Sequence, residues 1–157
     1  MAHNMTLQSE SHMDTLEPGT PIVHPKTQLR IGNWNVRTVY TQGKTDQAVK
    51  AMREAKLQIM GISESRWCGS GKFILTTGET IVYSGRDDEV HQHGVAIMLN
   101  KDAAKALINW TPIDERIIRA RFHSRYVKLT LIHVYASTND TDEEVKDHFY
   151  EKQICNT

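Results

Sequence analysis

Cysteine is scarce in this sequence. There are two, Cys68 and Cys155, and neither belongs to a Cys-x-x-Cys pair. A zinc ribbon or a disulfide-stapled secreted scaffold is therefore not expected; two free thiols in a reduced, intracellular compartment fit the pattern. An excess of charge is lacking too, with 19 Lys and Arg against 19 Asp and Glu. That balance excludes a global attraction to nucleic acid or acidic membranes, so a polyanion would have to meet a local basic patch. No apolar run approaches the ~18 residues of a membrane span, and the first residues lack the apolar core of a secretory signal. A membrane partner is not expected. No lysine-rich cluster marks nuclear import, which leaves nuclear and cytoplasmic locations open. There are no internal repeats and no low-complexity segment.

What is present suits one domain with a core. The chain has 157 residues, 39% of them apolar and 24% charged. Residues 1–28 are polar and hold Pro18, Pro21 and Pro25, three of the four prolines, which predicts a disordered tail. Residues 29–153 form the expected domain, and 154–157 an atypical end. The first strand begins at Leu29 in "LRIGNWNVRT" and closes near Val36. Ala48, Val49, Met52 and Ala55 recur at helical spacing, and "LQIMGISE" then reads as a buried strand. Strand, helix and strand within ~30 residues predict a parallel βαβ unit. "KFILTTGETIVYSG" predicts two strands about a turn at Gly78, and "GVAIML" a short buried strand. "DAAKAL" predicts a short helix, and "RIIRARF" and "YVKLTLIHVY" two further strands. A last helix is expected after Thr141, where Thr141 and Glu144 form a capping box. The class is α/β or α+β, strand-rich, with a mixed sheet and flanking helices.

Three predicted strands end in polar residues rather than in packing residues. The first closes on Asn35 and Arg37, the second on Ser63, Glu64, Ser65 and Arg66, and the last on Tyr135, Thr138, Asn139 and Asp140. A rigid sheet aims such loop-edge side chains into one crevice. If the strands of the βαβ unit are neighbours, Asn35 and Glu64 end side by side. A carboxylate beside an amide oxygen suits a hard cation such as magnesium. Each residue also has a plain structural reading: Asn35 as a loop cap, Glu64 with Arg66 as a surface pair, Tyr135 as a half-buried aromatic. Their coincidence at three strand ends favours the functional reading. His91 and His93 could form a metal pair but read better as part of a solvated loop just before Gly94, and His133 as a satisfied core histidine. Arg119 and Arg121, with Arg116, Arg125 and Lys128 nearby, form either a phosphate-contacting stripe or a solvated sheet face.

"IGNWNVRT", "IMGISESRW", "HGVAIML" and "LIHVYASTND", in this order and spacing, resemble the endonuclease/exonuclease/phosphatase superfamily. The nearest resemblance is to the endonuclease domains of retrotransposons without long terminal repeats, a domain that the craniofacial development protein 2-like family also carries. The resemblance spans roughly Leu29 to Gln153 and implies the N-terminal half of a four-layer α/β sandwich of the deoxyribonuclease I-like type. It implies a magnesium-dependent endonuclease that hydrolyses DNA phosphodiesters. Residue by residue, Asn35, Glu64 and Tyr135 match catalytic positions, with Glu64 and Asn35 on the metal. Arg37, Arg66 and Thr138 match positions that contact nucleic acid. Arg37 stands where the abasic-site enzymes have Asp, Ser137 replaces the Pro of a conserved-type turn, and Thr138 replaces an Asn of several relatives.

The second half of that family's pattern is missing. No Asp follows a Gly here, and Asp147-His148 lies too early to serve as the terminal Asp-His pair. The expectation is a truncated domain, inactive as an isolated chain, with magnesium binding weak or absent. DNA is the expected partner of the completed domain. An uncovered sheet face would favour self-association or a protein partner. The alternatives are a non-catalytic nucleic-acid-binding or protein-interaction fragment, and a phosphatase of the same superfamily.

Overall fold

The computed structural model describes residues 6–8, 22, 28–35, 43–125 and 127–136. In chain order the elements are β1 (Thr6–Gln8), β2 (Ile31–Asn35), α1 (Lys44–Glu54), β3 (Ile59–Ser63), β4 (Ser70–Ile74) and β5 (Thr80–Ser84). They continue with β6 (Val95–Leu99), α2 (Lys101–Ala106), β7 (Leu107–Asp114), β8 (Ile117–Phe122) and β9 (Leu129–Val134). Among the described residues six strands form one mixed sheet in the order β1-β4-β5-β6-β3-β2, and three form a second in the order β7-β8-β9.

The βαβ unit is present. β2 and β3 pair in parallel, Asn35 opposite Ser63, with α1 between them in the chain. α1 buries Ala48, Val49 and Met52 and carries Asp46 in its first turn and Arg53 in its last, as the helix dipole favours. Its C-terminus closes when Leu57 N–H reaches Met52 O and Lys56 N–H reaches Arg53 O. Lys56 holds the left-handed position, φ 54°, that glycine usually takes there. The helix packs on one face of the first sheet, against Met60, Ile62, Phe73, Ile81, Ala96 and Met98.

The other face of that sheet meets the second sheet. Ile59, Val82, Val95, Ile97 and Leu99 pack against Leu107, Ile118, Ala120 and Phe122. β3 is buried at every residue because each of its faces has a cover. Gly61 lies on the inter-sheet face, where a Cβ would come within 2.6 Å of His133 Nδ1. Only a residue without a side chain lets the imidazole sit there.

Three expectations are corrected. The chain supplies two sheets rather than one, so the face expected to be bare, and to drive self-association or partner binding, is covered by β7, β8 and β9. The strand "LINWTPID" was not legible, because Pro112 and two register shifts interrupt its alternation. Proline is tolerated there because β7 is an edge strand. The third correction concerns residues 1–28. Thr6–Gln8 pairs with β4 as an edge strand, and Ile22 donates its N–H to His123 O at 3.0 Å and packs on the inter-sheet core. The helix expected after Thr141, its capping box and Asp147-His148 lie outside the described residues.

Candidate active site

One end of the sandwich collects the polar strand ends. β2, β3, β5, β7 and β9 finish there, and β6 and β8 start there, as the pairings Asn35–Ser63, Ser63–Val95, Ser84–Val95 and Ile117–Val134 require. Ser84 Oγ donates to Asp114 O at 2.6 Å and ties the two sheets together at this end.

Glu64 and Tyr135 meet across the sheets. Glu64 follows β3 and Tyr135 follows β9, and Tyr135 Oη donates to Glu64 Oε1 at 2.8 Å. Tyr135 belongs to the second sheet and Glu64 to the first, and Val36 lies outside the described residues. The ends nevertheless converge, because the sheets stack face to face. Asn35 is exposed and lies one register step from Glu64, opposite Ser63. Trp34, one residue earlier, turns to the opposite face and packs on the α1 side. Arg37 and Thr138 lie outside the described residues.

The backbone around Glu64 is strained. Glu64, Arg66 and His93 have φ of 60°, 57° and 58°, a region that costs a non-glycine residue about 1–2 kcal/mol. Ser65 N–H to Gly94 O at 3.0 Å and Arg66 N–H to His93 O at 2.9 Å hold the two turns against each other. Gly94 has φ 84°, and a Cβ on it would lie 2.6 Å from Ser65 Oγ. Strain of this kind persists where surrounding bonds over-determine it, and it gathers at functional sites.

Two residues join the site that sequence reasoning had set aside. Arg116 precedes β8 and lays its guanidinium 5.3 Å from the centre of the Tyr135 ring. Its backbone is pinned on both sides: Tyr135 N–H donates to Arg116 O at 2.9 Å, and Arg116 N–H donates to Asp114 Oδ1 at 2.8 Å. His93 is half-buried beside it, its ring 6.2 Å from that of Tyr135. A signal was available for Arg116, since it opens the "RIIRARF" strand at the same end as Tyr135. None was available for His93, because its neighbours are solvated loop residues. Ser65 Oγ and Arg116 Nη1 are buried and have no hydrogen-bond partner.

The electrostatics follow from these contacts. The bond to Glu64 holds the Tyr135 phenol above its ordinary range, helped by burial and by the Glu64 charge, while Arg116 and Arg66 pull the other way. Burial, then the Arg116 charge, pushes the His93 imidazole down. His133 is buried with its Nε2 3.4 Å from Ser63 Oγ, and burial lowers it too, as expected of a core histidine. His91 is exposed and sits 3.4 Å from Cys68 Sγ, so the two histidines of "HQH" have different partners. Arg119 and Arg121 alternate away from the inter-sheet core and do not reach this site; Arg119 Nη2 donates to Thr111 Oγ1 at 3.3 Å. Among the described residues no group of three or more His, Cys, Asp or Glu is placed to hold a metal.

No family model matches the chain. Over 126 residues, 80% of its length, it is 34% identical to craniofacial development protein 2 of Bos taurus and 33% identical to that of Tragulus javanicus. Its fold is similar to the crystal structure of AP endonuclease LMAP from Leishmania major, with a TM-score of 0.56 and 11% identity, covering 83% of this chain and 49% of that one. That likeness shows the fold, which is of the deoxyribonuclease I-like α/β type. The aligned segment amounts to 21% of each curated relative, so the chain spans about a fifth of the proteins it matches. No helix among the described residues is long and apolar enough to cross a membrane.

Proposed function

We propose that this chain carries the metal-holding side of a magnesium-dependent phosphodiesterase site that acts on DNA, of the retrotransposon-endonuclease type. The observation that supports it is the Tyr135–Glu64 bond of 2.8 Å between residues of two different sheets. A tyrosine that donates to one carboxylate oxygen fixes the carboxylate's orientation, which is what a hard-cation ligand requires. Glu64, with the Asn35 amide at the neighbouring strand end, would hold the cation. The bound ion would supply charge neutralisation at a phosphoryl oxygen.

The donor set fits magnesium in kind and falls short in number. One carboxylate and one amide oxygen leave most of the octahedron to water and phosphate, so binding is millimolar in scale. Arg66 and Arg116 add positive potential beside the pair, the local basic feature that a neutral chain needs in order to attract a polyanion. Arg37 and Thr138 complete the nucleic-acid contacts in this reading.

Hydrolysis also needs a positioned water and a donor for the phosphorane charge. The 157 residues hold no Gly-Asp block of the kind the resemblance calls for. The isolated chain therefore binds DNA weakly and does not cut it. Two assays test this. Supercoiled plasmid with magnesium is expected to remain intact, and a labelled duplex is expected to bind in a salt-sensitive manner that weakens in Arg66→Ala. Nicking that disappears in Glu64→Ala would overturn the inactivity. Duplex binding unchanged by salt or by Arg66→Ala would overturn the DNA assignment.

A further inference from the structure

The ring of His93 occupies an uncommon position. It is held by a left-handed backbone, φ 58°, that a histidine adopts only at a cost, and its carbonyl accepts Arg66 N–H at 2.9 Å. The ring therefore cannot drift with the exposed loop that precedes it. Arg116 Nη2 lies 3.4 Å from His93 Nε2 and 3.5 Å from Nδ1. Near-equal distances to both ring nitrogens mean that the guanidinium rests against the imidazole rather than pointing a proton at one atom. The same guanidinium lies over the Tyr135 ring, 5.3 Å from its centre, and the His93 and Tyr135 rings are themselves 6.2 Å apart. Imidazole, guanidinium and phenol thus form a three-way cluster, with the phenol hydroxyl on Glu64.

We propose that His93 is a positioning residue of the Glu64–Tyr135 site, bracing Arg116 against Tyr135 so that the phenol hydroxyl stays on the Glu64 carboxylate. The need for a brace is physical. Arg116 Nη1 is buried without a partner, so the head group gains by swinging toward water. An arginine head group released in that way takes the cation–π contact with it. Tyr135 follows a strand end and stands half-buried, so losing the stack frees its ring to rotate off Glu64. This rests on the reading of Glu64 and Tyr135 as the site, but it concerns their geometry alone and involves neither magnesium nor DNA.

The test is the hydroxyl proton of Tyr135, followed by NMR in the 157-residue chain and assigned by its loss in Tyr135→Phe. Bonded to a carboxylate, that proton exchanges slowly with water. His93→Ala is expected to speed the exchange about tenfold or more, the scale of losing a hydrogen bond to a charged group. His93→Phe keeps a ring against Arg116 and is expected to restore slow exchange. Melting of both variants, followed in parallel, reports whether the fold is kept. Slow exchange retained in a folded His93→Ala would overturn the proposal, and so would fast exchange in a folded His93→Phe. If a proton assignable to Tyr135 is never protected in the parent chain, the Glu64 bond itself is absent and the proposed site fails with it. A failed nicking or duplex-binding assay leaves this result untouched.

Discussion

At the far end of the first sheet, Arg53 donates from Nε and Nη2 to Glu79 Oε1 at 2.8 and 2.6 Å and from Nη2 to Thr77 O at 3.2 Å. Gln58 Oε1 accepts Arg30 N–H, and Asn100 Oδ1 caps α2 through Ala103 N–H. Among the described residues the one left-handed residue there other than glycine, Lys56, is accounted for by helix termination. At the near end the balance is reversed. Three left-handed residues that terminate no helix, Glu64, Arg66 and His93, surround two buried polar atoms without partners, Ser65 Oγ and Arg116 Nη1. The same sheet carries both ends, so the fold does not require the strain. The left-handed residues gathered around Glu64 support the proposal that the near end is the site.

That contrast can be broken or sharpened by substitution. Both ends hang on the inter-sheet core, so Phe122→Ala, a fully buried ring, is expected to cost about 3–5 kcal/mol and to lower the melting of the whole molecule in one transition. Two separate transitions in calorimetry would mean that the ends are independent. At the far end, Arg53→Ala leaves the Glu79 carboxylate, 5% exposed, without its cation. The expected loss is about 1–3 kcal/mol, kept modest because Arg53 itself is half-exposed. A denaturant midpoint unchanged by this substitution would remove the far end as the settled reference.

The pH dependence separates the ends further. Burial holds His133 below its ordinary value of 6.5, so the unfolded chain takes up protons that the folded one refuses. Stability is therefore full above about pH 6.5 and falls as pH drops toward the folded value. Melting temperature is expected to decline between about pH 7 and about pH 5, and less so in His133→Gln. The smallest effects are expected from relief of strain. Lys56→Gly at the far end is expected to gain about 0.5–1 kcal/mol, since glycine takes the left-handed position without the Cβ penalty. Glu64→Gln at the near end is expected to stay within about 0.5 kcal/mol of the parent. A large loss in Glu64→Gln would make that carboxylate a structural group.

Much of the fold was legible because its signals are local. The short apolar runs of β3, β5 and β6, the alternation in β8 and β9, and the spacing of Ala48, Val49 and Met52 needed nothing from distant residues. β7 was missed because its pattern is broken by Pro112 and by bulges that only an edge strand tolerates. With β7 went the second sheet, and hence the error about a bare face. Glu64 and Tyr135 were legible as polar strand ends, and the resemblance placed them in one site. That they meet across two sheets is a fact of stacking that no single segment encodes. Arg116 was read only with the basic stripe and His93 only with a solvated loop, because an arginine before a strand and a histidine in a polar loop are ordinary until Tyr135 is set beside them.

The most direct measurement is a magnesium titration of the 157-residue chain followed by NMR, in parallel with Glu64→Gln. The expected result is a set of shifts confined to the surroundings of Asn35, Glu64 and Tyr135, saturating on a millimolar scale and absent from the variant. Shifts that leave Glu64 and Tyr135 unmoved, or that persist in Glu64→Gln, would contradict the metal-holding site. Micromolar binding lost in that variant would show a site with more ligands than the two named here.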